Sequence, residues 1–166
     1  MTETFSNPLP GLAQDVLDAC RAAGLMLATA ESCTGGLIAA CLTSQAGASA
    51  VVERGFVTYT NRSKQDLLGV PAHLFVAVGA VSEEVARAMA EGVLERSLAH
   101  VSVSATGIAG PSGGSEKKPI GLVHLASARK GRATLHERHV FSGDRDAVRR
   151  QAVEAALRLL LRQVGD

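Results

Sequence analysis

Apolar positions along the chain recur with two periods, one helical and one alternating. Over residues 11–23, Leu12, Val16, Leu17 and Cys20 fall on one helical face, and Gly24 ends that helix. Leu25-Met26-Leu27-Ala28-Thr29 is a short apolar run after a glycine and predicts a buried strand. It leads through Glu31-Ser32-Cys33-Thr34 into a small apolar helix beginning near Gly35. Residues 51–59 alternate and are β-branched, which predicts a second strand. Asn61 is expected to cap a short helix over 62–68, closed by Gly69-Val70-Pro71. Ser82 opens a longer helix to about residue 98, with Glu83 and Glu84 where the helix dipole favours anions and Val85, Met89, Val93 and Leu94 inside.

Residues 100–106 read as a third strand with Val101, Val103 and Ala105 on one face. A long Gly/Ser/Lys loop, Gly107 to Pro119, separates it from two more strands over 120–127 and 133–141, joined by Arg129-Lys130-Gly131-Arg132. Gly143-Asp144 then caps a last helix through Val148, Ala152, Ala155 and Leu159. Strands interleaved with helices imply an α/β fold, a three-layer α/β/α sandwich on a mixed, mainly parallel sheet of about five strands. The final hairpin places one antiparallel strand in it. Residues 1–9 read as a flexible tail and 10–166 as a single domain.

Composition narrows the function classes. Apolar residues make up 46% of the 166 and charged residues 20%, the profile of a globular domain with its own core. A net charge of +1 gives no electrostatic case for nucleic acid or an anionic membrane, and 3% aromatics without Trp weaken base stacking. Cys20, Cys33 and Cys41 are odd in number and lack CxxC spacing, which argues against a disulfide framework or a zinc cluster. The polar, Pro-containing N-terminus lacks a signal-peptide pattern, and no apolar run approaches the roughly 20 residues that span a bilayer. A cytoplasmic location is expected.

Glycines concentrate after the first and third predicted strands. In open α/β sheets ligands collect beyond the carboxyl ends of strands, so Thr29–Gly36 and Thr106–Gly114 are expected to share one cleft. In the first segment the Ser32 hydroxyl lies on a strand-to-helix turn beside backbone N–H groups at the helix start. Those groups suit a phosphate or the oxyanion of acyl transfer. Local physics equally allows Ser32 to be a helix cap and the glycines to serve packing.

A serine nucleophile needs a base. None of the five histidines (His73, His100, His124, His136 and His139) lies beside a glycine-rich segment, so each is read as structural or exposed. Lys64, opening a short helix behind Tyr59, is the better candidate if its pKa is depressed; taken alone it reads as a solvated helix residue. The loop Gly107 to Lys118 lacks a Walker A ending, and no GxGxxG is present. His136 and His139 would point to opposite faces of a strand, so no metal site is assigned. Arg145 and Arg149 share one helix face, either as a phosphate grip or as solvated charge.

Four ordered motifs go further. Ala30-Glu31-Ser32-Cys33-Thr34-Gly35-Gly36, Tyr59-Thr60-Asn61-Arg62-Ser63-Lys64, Gly79-Ala80-Val81-Ser82-Glu83-Glu84 and Ala105-Thr106-Gly107-Ile108-Ala109-Gly110-Pro111 together resemble the CinA C-terminal domain family, the nicotinamide-nucleotide amidohydrolases. The resemblance implies the α/β/α sandwich and hydrolysis of the carboxamide of nicotinamide mononucleotide, a pyridine nucleotide, in salvage. It places catalytic roles on Ser32, Lys64, Tyr59 and Thr106, with neutral Lys64, directly or relayed through Tyr59, deprotonating Ser32. Substrate contacts are expected from Thr34, Gly35, Gly36, Gly107, Arg145 and Arg149, including an oxyanion site on the backbone of Thr34 to Gly36 or of the Thr106 loop. No cofactor or metal is implied, and a homodimer is. Arg62-Ser63 and Ser112 depart from the usual pattern near the expected mouth. Rival readings are a non-catalytic nucleotide- or phosphate-binding module of the competence/damage-inducible type, a cysteine amidase using Cys33, and a DNA-binding protein, the last opposed by charge.

Overall fold

The computed structural model describes residues 9–165. The elements are α1 (Pro10–Ala22), β1 (Leu27–Glu31), α2 (Leu37–Thr43), a 3-10 turn (Ala48–Ala50), β2 (Val52–Val57), α3 (Asn61–Leu68), α4 (Ala72–Ala77), α5 (Glu83–Glu95), β3 (Val101–Gly107), β4 (Leu122–Arg129), β5 (Leu135–Val140) and α6 (Arg145–Gly165). The strands form one sheet in the order β2-β1-β3-β4-β5. β1 pairs in parallel with β2 and β3, and β4 pairs antiparallel with β3 and β5. Only β4 therefore runs against the rest, as the hairpin predicts.

One face of the sheet is covered by α1, α2 and α6, the other by α3, α4 and α5. Burial sorts β3 between them. Val101, Val103 and Ala105 enter the larger apolar cluster with α1 and α6. Ser102, Ser104 and Thr106 face α5 and its lead-in, donating to the carbonyls of Ala90, Ala86 and Ala80. These small hydroxyls let α5 lie close while all three stay paired. Gly92 does the same between helices: a Cβ there would sit 2.1 Å from the Leu68 carbonyl oxygen, so only glycine lets α3 seat against α5.

Several local expectations change. The cap of α3 is Thr60, not Asn61: its hydroxyl accepts from Ser63 N–H at 3.1 Å while Thr60 N–H donates back to Ser63 Oγ at 3.2 Å. The helix opened by Ser82 stops at Glu95, and Leu94 is only partly buried. The short helix α4 and the 3-10 turn carry too few periodic positions to be read from the sequence. The expected tail falls mainly on residues 1–8, outside the described residues, whereas Leu9 packs on the core. No helix among the described residues is long and apolar enough to cross a membrane.

Candidate active site

The turn from β1 to α2 is tied to the sheet before it reaches the helix. Ser32 N–H donates to the Ala105 carbonyl at 2.9 Å, which continues the β1–β3 pairing by one residue and leaves the side chain at the strand end. Lys64, on the inner face of α3, reaches that side chain. It is 1% exposed, and its Nζ lies 2.9 Å from Ser32 Oγ, 2.9 Å from the Thr58 carbonyl and 3.3 Å from the Tyr59 carbonyl. The two carbonyls can take two N–H bonds of a neutral amine, leaving its lone pair for Ser32. No carboxylate pairs with Lys64 among the described residues, and burial holds its pKa down at about 8 from an ordinary 10.5.

The pair opens into a cavity of about 230 Å³. Ser32, Cys33 and Lys64 form its floor, Thr106 and Gly107 one wall, and Tyr59 and Arg145 the mouth. Both glycine-rich segments thus meet in one cleft, as their positions after strands predict.

The CinA C-terminal domain family model matches residues 10–164. The chain belongs to the CinA C-terminal domain family. It is 49% identical over 157 residues to the nicotinamide-nucleotide amidohydrolase PncC of Escherichia coli K12, covering 95% of each chain. It is 55% identical over 139 residues to a CinA-like protein of Anaeromyxobacter dehalogenans, covering 84% of this chain and 34% of that protein. The crystal structure of the competence/damage inducible protein CihA from Agrobacterium tumefaciens superposes with a TM-score of 0.93 at 46% identity, over 99% of this chain and all of that one.

Other expected site residues of this CinA C-terminal domain fall into different places. Tyr59 is 60% exposed with its phenol hydrogen-bonded to Arg145 Nη2 at 3.0 Å, and Lys64 meets the Tyr59 backbone carbonyl. Thr106 lines the cavity with its hydroxyl donated to the Ala80 carbonyl at 2.9 Å. Gly107 lines it too, and a Cβ there would come within 2.7 Å of the Leu122 carbonyl oxygen. Arg145 stays at the mouth, its Nη1 on the Gly110 carbonyl at 2.8 Å, with no carboxylate partner among the described residues.

Arg149 does not face the cavity. One turn farther along α6, it donates to the carbonyls of Cys33 and Thr34 at 3.2 and 3.1 Å. The helix-start N–H groups are also not open to substrate. Gly35 N–H donates to the Ser32 carbonyl and Leu37 N–H to the Thr34 carbonyl, while those of Gly36, Ile38 and Ala39 donate to the Glu31 carboxylate. Gly35 and Gly36 are needed for their backbone, at φ of 59° and 102°. The Thr34 side chain is fully buried away from the cavity, its hydroxyl without a hydrogen-bond partner. Of residues 33–39, only Cys33 and Thr34 keep N–H groups without a carbonyl or carboxylate acceptor, and of the two only Cys33 lines the cavity.

Glu31 escaped the sequence reading. A helix beginning at residue 37 is normally capped from the residue just before it, and Glu31 reaches it from the end of the preceding strand. Arg62 and Ser63, which depart from the usual family pattern, do not line the cavity: Arg62 pairs with Asp66, and Ser63 completes the Thr60 cap. No histidine lines the cavity; His100 accepts from Met26 N–H, and His124 and His136 bond each other.

The lowered Lys64 pKa has a stability counterpart. Below pH 8 both folded and unfolded forms carry the charge, and the folded form bears its full burial penalty; above 10.5 neither does. Between the two the unfolded chain binds more protons, so stability rises with pH. The unfolding free energy of wild type relative to Lys64→Met is expected to climb by about 3 kcal/mol from pH 7.5 to 11 in denaturant titrations. A flat difference would mean Lys64 titrates as a solvated amine.

Proposed function

We propose that this chain hydrolyses the carboxamide of nicotinamide mononucleotide to nicotinate mononucleotide and ammonia, within pyridine-nucleotide salvage. The observation that carries the reading is the buried Lys64 Nζ set 2.9 Å from Ser32 Oγ at the floor of a cleft. The 49% identity to a nicotinamide-nucleotide amidohydrolase over 95% of both chains supplies the substrate class.

Ser32 Oγ attacks the carboxamide carbon as its proton passes to neutral Lys64. The oxyanion takes a hydrogen bond from the Cys33 N–H, which the turn leaves without an acceptor at the cavity floor. The C–N bond then breaks, and the Lys64 ammonium gives its proton to the departing nitrogen, which leaves as ammonia. Water attacks the resulting ester and passes a proton to Lys64. Collapse of that intermediate breaks the ester bond and returns the proton to Ser32. Thr106, whose hydroxyl hydrogen is committed to Ala80, offers only lone pairs to the cleft and so suits the amide N–H₂. Arg145, steadied by Tyr59 and Gly110, is the cation for the phosphate.

Purified protein incubated with nicotinamide mononucleotide should release ammonia and nicotinate mononucleotide in equal amounts. Saturable binding without ammonia release would instead support the non-catalytic nucleotide-binding reading.

A further inference from the structure

The turn that carries Ser32 has an unusual internal economy: a buried negative charge collects its donors, and a positive charge collects its acceptors. The Glu31 carboxylate is completely buried and has no cationic partner among the described residues. Its Oε2 accepts from Gly36 and Ile38 N–H at 3.1 and 3.0 Å, and its Oε1 accepts from Ala39 N–H at 2.9 Å and the Thr29 hydroxyl at 3.4 Å. From α6, in the same layer, Arg149 holds the Cys33 and Thr34 carbonyls.

Charged hydrogen bonds are stronger than neutral ones, and three to the carboxylate with two from the guanidinium fix the peptide planes of the turn. A trans peptide places its N–H opposite its C=O. Holding the Cys33 and Thr34 carbonyls on Arg149 therefore fixes the two peptide planes on either side of Thr34 and keeps Cys33 at the cavity floor. Without the carboxylate, the N–H groups of Gly36, Ile38 and Ala39 would be open to compete for a substrate oxygen or to let the turn rewind.

We propose that Glu31 and Arg149 are positioning residues that act as one clamp, fixing the Ser32 turn so that Ser32 Oγ stays at Lys64 and the Cys33 N–H remains for the developing oxyanion. The proposal rests on the amidohydrolase reading for its substrate. Neither residue touches the substrate; both act through the turn.

The test measures two rates on the full chain: turnover of nicotinamide mononucleotide, and phosphonylation of Ser32 by a fluorophosphonate probe. In the second, the Ser32 oxygen bonds phosphorus, fluoride leaves and the phosphoryl oxygen occupies the same donor site, so no nicotinamide substrate is needed. Glu31→Gln and Arg149→Met should each lower kcat and the labelling rate by roughly 10- to 100-fold, with KM and the pH midpoint of labelling close to wild type. Arg149→Lys, which supplies a point charge without the fork, should recover part of the loss. The double variant should lose less than the product of the single losses, because both act on one turn.

Wild-type labelling in a folded Arg149→Met protein, a loss confined to KM, or a displaced pH midpoint would overturn the clamp. If Glu31→Gln fails to fold, the Arg149 pair still decides. If wild type labels but releases no ammonia, the substrate reading fails while the labelling comparison still decides the clamp.

Discussion

Exchanging Lys64 for Arg is expected to lower kcat/KM on the order of 10³-fold, the span a positioned general base contributes. The substitution keeps the charge and much of the stem, so simple electrostatics would forecast a mild effect. Arg cannot lose its proton near neutral pH, and its planar fork cannot offer a lone pair to Ser32 Oγ. It must also fit a larger head into a place that is 1% exposed.

The pH dependence of wild type carries the same argument with a definite sign. The base works only when deprotonated, and burial holds Lys64 at about 8 rather than 10.5. kcat/KM should therefore rise with pH, pass half its maximum near pH 8 and level off above. In Lys64→Arg that rise should vanish from the residual rate. A steady-state profile that is flat from pH 6.5 to 9.5, or one that climbs identically in both proteins, would remove Lys64 from the base role.

Much of the fold was legible because local signals agreed with the tertiary arrangement. Every predicted strand is present, and the alternation of Val101, Val103 and Ala105 with Ser102, Ser104 and Thr106 does separate two faces. Strand ends were less legible because long-range bonds set them. The first strand begins at Leu27 rather than 25, since Leu25 N–H still bonds the Cys20 carbonyl beyond α1 and Met26 N–H is taken by His100 Nδ1.

The site divides in the same way. Ser32 on its glycine-flanked turn is a local feature, but its contact with Lys64 spans 32 residues and needs α3 seated on α5 through Gly92. Local physics could not separate cap from nucleophile; the structure shows Glu31, not Ser32, accepting the N–H groups at the start of α2. Arg145 and Arg149 share a helix face, so pattern alone treats them alike. One turn of helix, about 5.4 Å, puts one guanidinium at the cavity mouth and the other behind the turn. The Tyr59 contribution to Lys64 comes from its carbonyl, which no side-chain motif encodes.

We propose that the attacking atom is Ser32 Oγ, although a thiol, usually the better nucleophile, sits next to it. Cys33 also lines the cavity, but it is only 6% exposed and burial pushes its pKa up to about 12, so it stays protonated and inert. Lys64, moreover, is hydrogen-bonded to the serine. Ser32→Ala should accordingly lose on the order of 10³-fold or more in kcat, and Cys33→Ala should stay within about tenfold of wild type. The most direct test is the intact and peptide mass of enzyme acid-quenched during turnover of nicotinamide mononucleotide. Attack by Ser32 predicts an acyl adduct, the substrate less ammonia, on the peptide containing Ser32, retained in Cys33→Ala and absent in Ser32→Ala. An adduct that persists in Ser32→Ala and disappears in Cys33→Ala would contradict it.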